Sequence, residues 1–361
     1  MQNKMLIVKY HGSIVGRLAL TTDNLMAFEY DTGWLTNGFS ISPFKLPLAK
    51  RVFVANREPF DGVFGVFNDC LPDNWGKLMV NRELQRRGIA PNSLSVLDRL
   101  AIVGKNGPGA LEFEPAEEMA TEYKDSSLDV IAAEINKIID DNTVVTDESV
   151  TEELYRIAGS SGGTRPKIFR RFEDGDWIIK FRAAVDPADI GRREFETMEL
   201  AQRAGLDVPQ HKLFNDKYFG VKRFDRQDNG EKVFMISASG LLDADHNQPV
   251  LDYIDLLSLT AKLTRNMTEV EKMFRLMVFN ILINNTDDHA KNFAFLYDGN
   301  DWRVAPAFDL TQTVGAWEHA TSVNHQGINI TGADMLVVAR QIGILEKRAD
   351  DIMLEVRDGI R

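Results

Sequence analysis

Three polar side chains in the last third of the sequence are of the types that phosphoryl transfer needs. Asp287 and Asn292 lie five positions apart, and Asp309 follows further along the chain. A carboxylate can orient an attacking hydroxyl or accept its proton, while an amide oxygen and a second carboxylate can hold Mg²⁺ on nucleotide phosphates. The pattern therefore predicts Asp287 as the catalytic residue and Asn292 and Asp309 as metal ligands.

Two neighbouring elements must bring these side chains together. Apolar residues at helical spacing predict a buried helix over 268–285, and Thr268 with Glu271 fits a capping box at its start. Two short apolar stretches with a turn between them predict a hairpin over 293–306. That hairpin would return Asp309 to the polar loop that follows the helix.

Two other interpretations of this loop stay open on local grounds. The stretch Asp287–Asn292 could be only a polar turn with a helix cap. The adjacent pair Asp288-His289 could also belong to a metal-dependent hydrolase. That second chemistry needs further histidine ligands, and the six histidines of the chain are widely scattered.

A glycine-rich segment before a predicted hairpin could bind phosphate. Small residues let backbone N–H groups approach phosphate oxygens, and hydroxyl groups can donate as well. The segment is not a Walker A motif, because no Gly-Lys-Ser/Thr enters a helix, and an ordinary loop is the alternative. The predicted contacts are Gly159, Ser160, Ser161, Gly162, Gly163 and Thr164.

A lysine in an apolar strand points to the same chemistry. Lys180 follows the glycine-rich segment by one hairpin, predicted with strands at 167–172 and 176–182, and a buried lysine requires a counter-charge or a ligand. In kinases this position holds the lysine that contacts the phosphates, paired with a glutamate on the next helix. Glu194 lies on the inward face of the helix predicted over 188–204, although a solvent-exposed helix charge is the alternative.

The strand at 218–224 occupies the place of a hinge between two lobes. In a kinase the backbone of such a strand binds adenine, so Lys222 and Phe224 complete the predicted nucleotide contacts. A plain edge strand fits the local pattern equally well. The order of all these motifs is what favours a kinase, since each alone is weak evidence.

Length, cysteine content and the order of elements predict the architecture around this site. The chain has 361 residues and one cysteine, Cys70, so no internal disulfide can form. The pattern of elements predicts an α+β protein in three parts, an N-terminal subdomain over 1–117, a strand-rich lobe over 118–240 and a helical lobe over 241–361.

Charge and hydropathy narrow the function further. The net charge of −12 argues against strong direct binding of nucleic acid. No apolar run is long enough for a membrane-spanning helix, and the first residues do not look like a signal peptide. These features predict a cytoplasmic protein without a membrane partner.

The motifs in combination resemble those of the HipA serine/threonine kinase toxins. The resemblance covers nearly the whole chain, and the Asn-Thr-Asp-Asp-His stretch that begins at Asn285 is its most specific part. The stretches that carry it are Leu-Pro-Asp-Asn-Trp-Gly at 71–76, Ser-Ser-Gly-Gly-Thr-Arg-Pro-Lys at 160–167, Ile-Ile-Lys at 178–180, Val-Lys-Arg-Phe-Asp-Arg at 221–226, 285–292 and Ala-Pro-Ala-Phe-Asp-Leu at 305–310.

This resemblance implies a two-lobed, kinase-like fold that uses ATP and Mg²⁺. It implies phosphorylation of a serine on a translation protein, typically an aminoacyl-tRNA synthetase, and autophosphorylation of Ser160 or Ser161 in the glycine-rich segment. It also implies a helix-turn-helix antitoxin as partner, so that DNA is reached only through that antitoxin.

Two alternatives to an active protein kinase stay open. One is a catalytically idle pseudokinase that serves only as an antitoxin-binding corepressor. The presence of all three of Asp287, Asn292 and Asp309 argues against it. The other is a small-molecule or lipid kinase, because the acceptor groove cannot be recognised from motifs.

Overall fold

An antiparallel sheet forms the N-terminal part of the molecule. The computed structural model describes residues 3–117, 126–140, 154, 158, 165–313 and 315–361. Five strands pair in the order β4-β3-β2-β1-β5. His11 and Gly12 both have positive φ angles, 47° and 78°, as the two-residue turn of the β1–β2 hairpin requires. The strands are β1 (Met5–Tyr10), β2 (Ser13–Leu20), β3 (Met26–Tyr30), β4 (Val52–Val54) and β5 (Leu111–Glu114).

Four helices lie between the strands of this sheet in chain order. They are α1 (Thr32–Asn37), α2 (Gly65–Asn68), α3 (Asn74–Arg86) and α4 (Val96–Val103). The last of these helices begins at Val96 because Ser95 and Asp98 form a reciprocal capping box, and such a box fixes the first turn after it.

A second antiparallel sheet forms the middle of the chain. Its strands β6 (Lys167–Phe172), β7 (Gly175–Lys180), β8 (His211–Phe214) and β9 (Tyr218–Lys222) lie in the order β6-β7-β9-β8. Helices α5 (Leu128–Asp140) and α6 (Ile190–Arg203) accompany it. One apolar cluster joins this sheet to α5 and to α3, and its members include Trp75, Met79, Ile131, Ile135, Trp177 and Ile179.

The last part of the chain is mainly helical, as predicted. Its longest helix, α9, contributes buried side chains along most of its length. Strands β10, β12 and β13 form a small sheet, and β11 pairs in parallel with β14. The elements are β10 (Phe234–Ser237), α7 (Ala238–Leu242), β11 (Leu251–Asp252), α8 (Tyr253–Thr264), α9 (Met267–Leu282), β12 (Ala294–Tyr297), β13 (Trp302–Val304), β14 (Thr321–Ser322), α10 (Gly332–Ile342) and α11 (Glu346–Gly359).

The start of α9 differs from the prediction. The side chain of Asn266 accepts a hydrogen bond of 2.9 Å from the backbone N–H of Thr268, so Asn266 is the cap and the helix begins at Met267. The predicted capping box of Thr268 with Glu271 is wrong. Glu271 instead forms an ion pair of 2.9 Å with Arg348 on α11, because its side chain faces the neighbouring helix.

None of the helices in the described ranges is both long and apolar enough to cross a membrane.

Candidate active site

Lys180 is the centre of a charged cluster at the end of β7. Its ammonium lies 3.1 Å from Oε2 of Glu194 on α6 and forms an ion pair with the carboxylate of Asp309. The lysine side chain is only 10% exposed. Burial alone would lower the pKa of Lys180, but the carboxylates of Asp309 and Glu194 outweigh burial and raise it above its ordinary value. The lysine is therefore held charged.

Asp309 reaches this cluster because the hairpin β12–β13 reverses the chain, as predicted. Its φ angle of 56° is in the left-handed region, which non-glycine residues rarely adopt and which recurs at functional sites. Burial would raise the pKa of Asp309, but Lys180 and then Lys167 lower it well below the ordinary value. An ionised carboxylate in this place can bind a cation.

The loop after α9 is tied to its surroundings on two sides. Asn285 donates from Nδ2 to Oδ1 of Asn280, 3.0 Å away, and Asn284 donates to the carbonyl oxygen of Thr313 at the same distance. The φ angle of Asn284 is 58°. These contacts fix the backbone just before Asp287.

A buried carboxylate in the same loop ties it to the core of the C-terminal part. Asp288 is fully buried and accepts hydrogen bonds from the Tyr253 hydroxyl at 3.0 Å and from the Thr321 backbone N–H at 3.2 Å. Nδ1 of His319 lies 3.1 Å from the same carboxylate. These contacts hold the backbone next to Asp287, whose own side chain is exposed.

Asp287 and Asn292 meet directly. Asn292 donates from Nδ2 to the carbonyl oxygen of Asp287 at 2.7 Å, which leaves its amide oxygen available to a ligand. The Asp287 side chain is 63% exposed. Surrounding protein atoms desolvate it and, with the nearby charge of Asp309, raise the pKa of Asp287 above its ordinary value, against the opposing effect of His289. A raised pKa suits a residue that accepts a proton.

Lys167 is a site residue that the sequence reasoning missed. It is buried and lies directly opposite Lys180 in the β6–β7 pairing. Burial lowers its pKa, while Asp309 opposes that effect. No local pattern identifies it, because the pairing depends on the length of the loop. The observed loop contains only Glu173 and Asp174 and sets Lys167 opposite Lys180, whereas a loop over 173–176 would have set it opposite Arg182.

The two predicted hinge contacts lie in different surroundings. The ammonium of Lys222 forms an ion pair of 2.8 Å with Asp228, so the structure does not bring it to the Lys180 cluster. The ring of Phe224 packs against Phe308, with centroids 5.4 Å apart, which places it beside the residue that precedes Asp309.

The predicted phosphate segment, from Gly159 to Thr164 and with both candidate serines, lies outside the described residues. Arg165, the first described residue after it, has a guanidinium 3.2 Å from Asp186 and 3.9 Å from Glu194. Arg165 therefore lies next to the Lys180 cluster.

The donor set around the loop fits a magnesium–nucleotide complex better than a metal bound by protein alone. In the described ranges, no group of three His, Cys, Asp or Glu side chains is placed to hold a metal ion. Mg²⁺ in nucleotide sites typically takes only one or two protein ligands and completes its shell with phosphate oxygens and water. An ionised Asp309 and the free amide oxygen of Asn292 match that need.

The fold and this site define a class of protein, a two-lobed α+β chain of the kinase-like type, as predicted. Residues 159–361 match the model of the HipA-like C-terminal domain, and residues 6–114 match that of the HipA N-terminal domain. The C-terminal match alone spans more than half of the chain. The protein therefore belongs to the HipA family, which confirms the resemblance drawn from the motifs.

Individual relatives agree with this assignment. A Sinorhizobium fredii protein named "Putative kinase Y4mE" is 27% identical over an alignment of length 342, which covers 86% of this chain and 78% of that one. The "Serine/threonine-protein kinase toxin HipA" of Shewanella oneidensis is 24% identical over an alignment of length 338, which covers 82% of this chain and 72% of that one. In the solved complex of HipA, HipB and operator DNA from Shewanella oneidensis, a chain matches with a TM-score of 0.74 at 18% identity, covering 98% of this chain and 88% of that one. At that identity the structural likeness shows the fold.

Proposed function

We propose that this protein is an active ATP-dependent serine/threonine protein kinase and the toxin of a toxin–antitoxin pair. The observation that carries the proposal is the convergence of Lys180, Glu194 and Asp309 beside Asp287. The lysine and Asp309 are 129 positions apart in sequence, and both belong to the predicted phosphate and metal set.

Each side chain has a separate task in the proposed reaction. Asp287 accepts the proton of the acceptor hydroxyl on a carboxylate oxygen, and its raised pKa favours that role. Lys180, oriented by Glu194, binds phosphate oxygens, while Asn292 and Asp309 would hold Mg²⁺. Bound ATP supplies the γ-phosphoryl group, and bound Mg²⁺ supplies positive charge to the phosphates. Lys167, opposite Lys180, adds a second cation to the phosphate side.

The wider biological assignment rests on the family. We propose a helix-turn-helix antitoxin as the partner, because the Shewanella oneidensis relative of known structure is described in a complex with HipB and operator DNA. DNA would then be reached only through that partner. The protein substrate is expected among translation proteins, with an aminoacyl-tRNA synthetase as the first candidate, and Ser160 or Ser161 is the expected site of autophosphorylation. The three-part division at residues 117 and 240 and the cytoplasmic location stay predictions.

Labelling with radioactive ATP tests the activity. The wild-type protein is incubated with γ-labelled ATP and Mg²⁺, alone and with cell lysate, beside Asp309→Ala and a matched Asp301→Ala variant in the β12–β13 turn. We expect label on the protein itself or on one lysate protein, lost in Asp309→Ala and kept in Asp301→Ala. Normal ATP binding without any label would contradict the proposal and support the idle pseudokinase.

Growth of a host strain tests the toxin assignment. Induced wild-type protein should slow growth, and Asp287→Ala should relieve the effect at equal protein level. Equal toxicity of the two proteins would show that catalysis is not its cause.

A further inference from the structure

At the start of α3, in the N-terminal subdomain, an aspartate pairs with a distant lysine and does not cap the helix with its side chain. Asp73 occupies the cap position of α3, but its carboxylate makes no capping hydrogen bond to the helix, although aspartate is among the favoured cap residues. Its carboxylate instead pairs with the ammonium of Lys291, 218 positions away in sequence. Both side chains are shielded from solvent, at 22% and 13% exposure.

Lys291 stands inside the catalytic loop. It lies between Asp287, the proposed proton acceptor, and Asn292, the proposed metal ligand. A side chain that fixes Lys291 therefore also restrains the short 3₁₀ turn of residues Ala290–Asn292, whose last residue is that ligand.

Two positions further along the chain from Asp73, Trp75 contacts the first residue of β6. The indole N–H of Trp75 donates a hydrogen bond of 3.0 Å to the backbone carbonyl of Lys167. The ring is 3% exposed and packs in the apolar cluster shared by α3, α5 and the second sheet. Lys167 is the first residue of β6 and faces Lys180 on β7, so this bond holds the strand that pairs with the strand of Lys180.

The N-terminal subdomain is also fastened to the rest of the chain at the hinge. The Asp225 carboxylate accepts a hydrogen bond of 2.8 Å from the Gly109 backbone N–H. Arg226 donates to the carbonyl oxygens of Gly107 and Gly109, at 2.9 Å each. Asp69, shortly before α3, accepts from the backbone N–H of Ser237 at 2.7 Å.

We propose that Asp73 and Trp75 are positioning residues for phosphoryl transfer, which fasten the catalytic loop and the phosphate-binding strand to one helix turn of the N-terminal subdomain. This inference rests on the proposed kinase activity. It makes the N-terminal subdomain a working part of the active site in addition to any role in partner binding. A shift of about 1 Å between reacting groups can cost about a hundredfold in rate. Loss of either contact of this clamp, Asp73 with Lys291 or Trp75 with Lys167, should therefore lower the rate measurably.

Two single variants test the clamp, each with a matched control. Trp75→Phe keeps an aromatic ring and removes the N–H. Its control is Trp177→Phe in the same apolar cluster, which removes the hydrogen bond from the indole of Trp177 to Asp174. Asp73→Asn removes the charge, and its control is Asp129→Asn, which breaks the pair between α5 and Lys217.

The first readout is kinetic. For autophosphorylation with γ-labelled ATP, Trp75→Phe and Asp73→Asn should each lower the maximal rate about ten- to a hundredfold. The apparent KM for ATP should change much less, because the phosphate ligands themselves are intact. The control variants should stay near the wild-type rate. Lys291→Met should lose as much as Asp73→Asn, and the double variant should lose no more than either, since both remove one interaction.

The second readout does not depend on activity. Hydrogen exchange should speed up in residues 285–292 of Asp73→Asn and in residues 167–172 of Trp75→Phe, and in neither segment of the controls. Rates and exchange equal to those of the controls would overturn the clamp, and a faster rate would show that the contacts restrain the enzyme instead.

The same design separates the two proposals. If the wild-type protein incorporates no label, the proposed kinase activity fails, while hydrogen exchange still decides whether α3 fastens both segments. If Trp75→Phe does not fold, the Asp73 and Lys291 variants carry the test for the loop side.

Discussion

Two networks of charged side chains in this molecule are built differently. In the hinge cluster of Arg223, Asp225 and Arg226, the single carboxylate accepts hydrogen bonds from both guanidinium groups and from the Gly109 backbone. In the cleft cluster of Lys167, Lys180, Glu194 and Asp309, the groups are satisfied incompletely. Oε2 of Glu194 is buried and accepts no hydrogen bond of good geometry.

Lys167 sharpens the contrast between the two clusters. It forms no ion pair within the part of the chain that the structure describes, and burial lowers its pKa. A buried polar group without a full set of partners costs stability and therefore marks a place where a ligand is expected. We therefore propose that the hinge cluster is a structural fastening and that the cleft cluster binds phosphate.

Breaking the hinge cluster should have the largest effect on stability. Asp225→Asn leaves two buried arginines without a counter-charge, and the free energy of unfolding should fall by about 3–5 kcal/mol. Urea denaturation at pH 7 measures this, with Asp228→Asn as the exposed control. A loss below about 1 kcal/mol would show that the cluster is not a fastening.

The same carboxylate makes stability depend on acid. Burial would raise the pKa of Asp225, but the two arginines lower it well below the ordinary value. Its contribution is therefore present above the unfolded pKa of about 4 and is lost as the pH falls toward the lower folded value. The Asp225→Asn variant should show a weaker loss of stability between pH 5 and pH 3 than the wild type.

Breaking the cleft cluster should instead remove activity. Lys180→Met should lower kcat/KM for ATP by about 10²–10³, because one preorganised cation on the transferring phosphate is lost. Lys212→Met, on β8 of the same sheet, is the control, since Lys212 pairs with Asp174 at the sheet surface. Equal activities of the two variants would contradict the phosphate role of Lys180.

The pH profile tests the role of Asp287. The carboxylate must be deprotonated to accept a proton, and its pKa is raised, so the acid limb of kcat/KM should have its midpoint above the ordinary aspartate value of about 4. Below that midpoint the rate should fall about tenfold per pH unit. A profile that stays flat down to pH 4, with the fold intact by circular dichroism, would exclude Asp287 as the base.

The smallest expected effect is a gain in stability. Because the folded pKa of Asp287 is raised, its ionised form opposes folding slightly, and that cost appears as the pH rises through the folded pKa. Asp287→Asn should therefore melt slightly higher than the wild type at pH 7 while activity is lost. A lower melting temperature would show that the carboxylate has a structural role.

Local sequence patterns were enough to predict most elements near the site. The 3.6-residue period predicted the buried α9, and the hairpin after it was predicted from two apolar stretches and a turn. The convergence of Lys180, Glu194 and Asp309 followed from the order of those elements. The errors lie at ends, as with the cap of α9, because several nearby polar residues compete for the same backbone N–H groups.

The tertiary structure decided what each charged side chain pairs with. The sequence determined the order of the motifs and the α+β architecture, because these depend on period and spacing. The assignment of Asp287, Asn292 and Asp309 as a set rests on the same spacing and stays a prediction. The sequence did not determine that Lys167 faces Lys180, that Lys222 pairs with Asp228, or that Asp73 holds Lys291. Such contacts depend on strand register and on packing between segments up to 218 positions apart, and no local pattern carries that information.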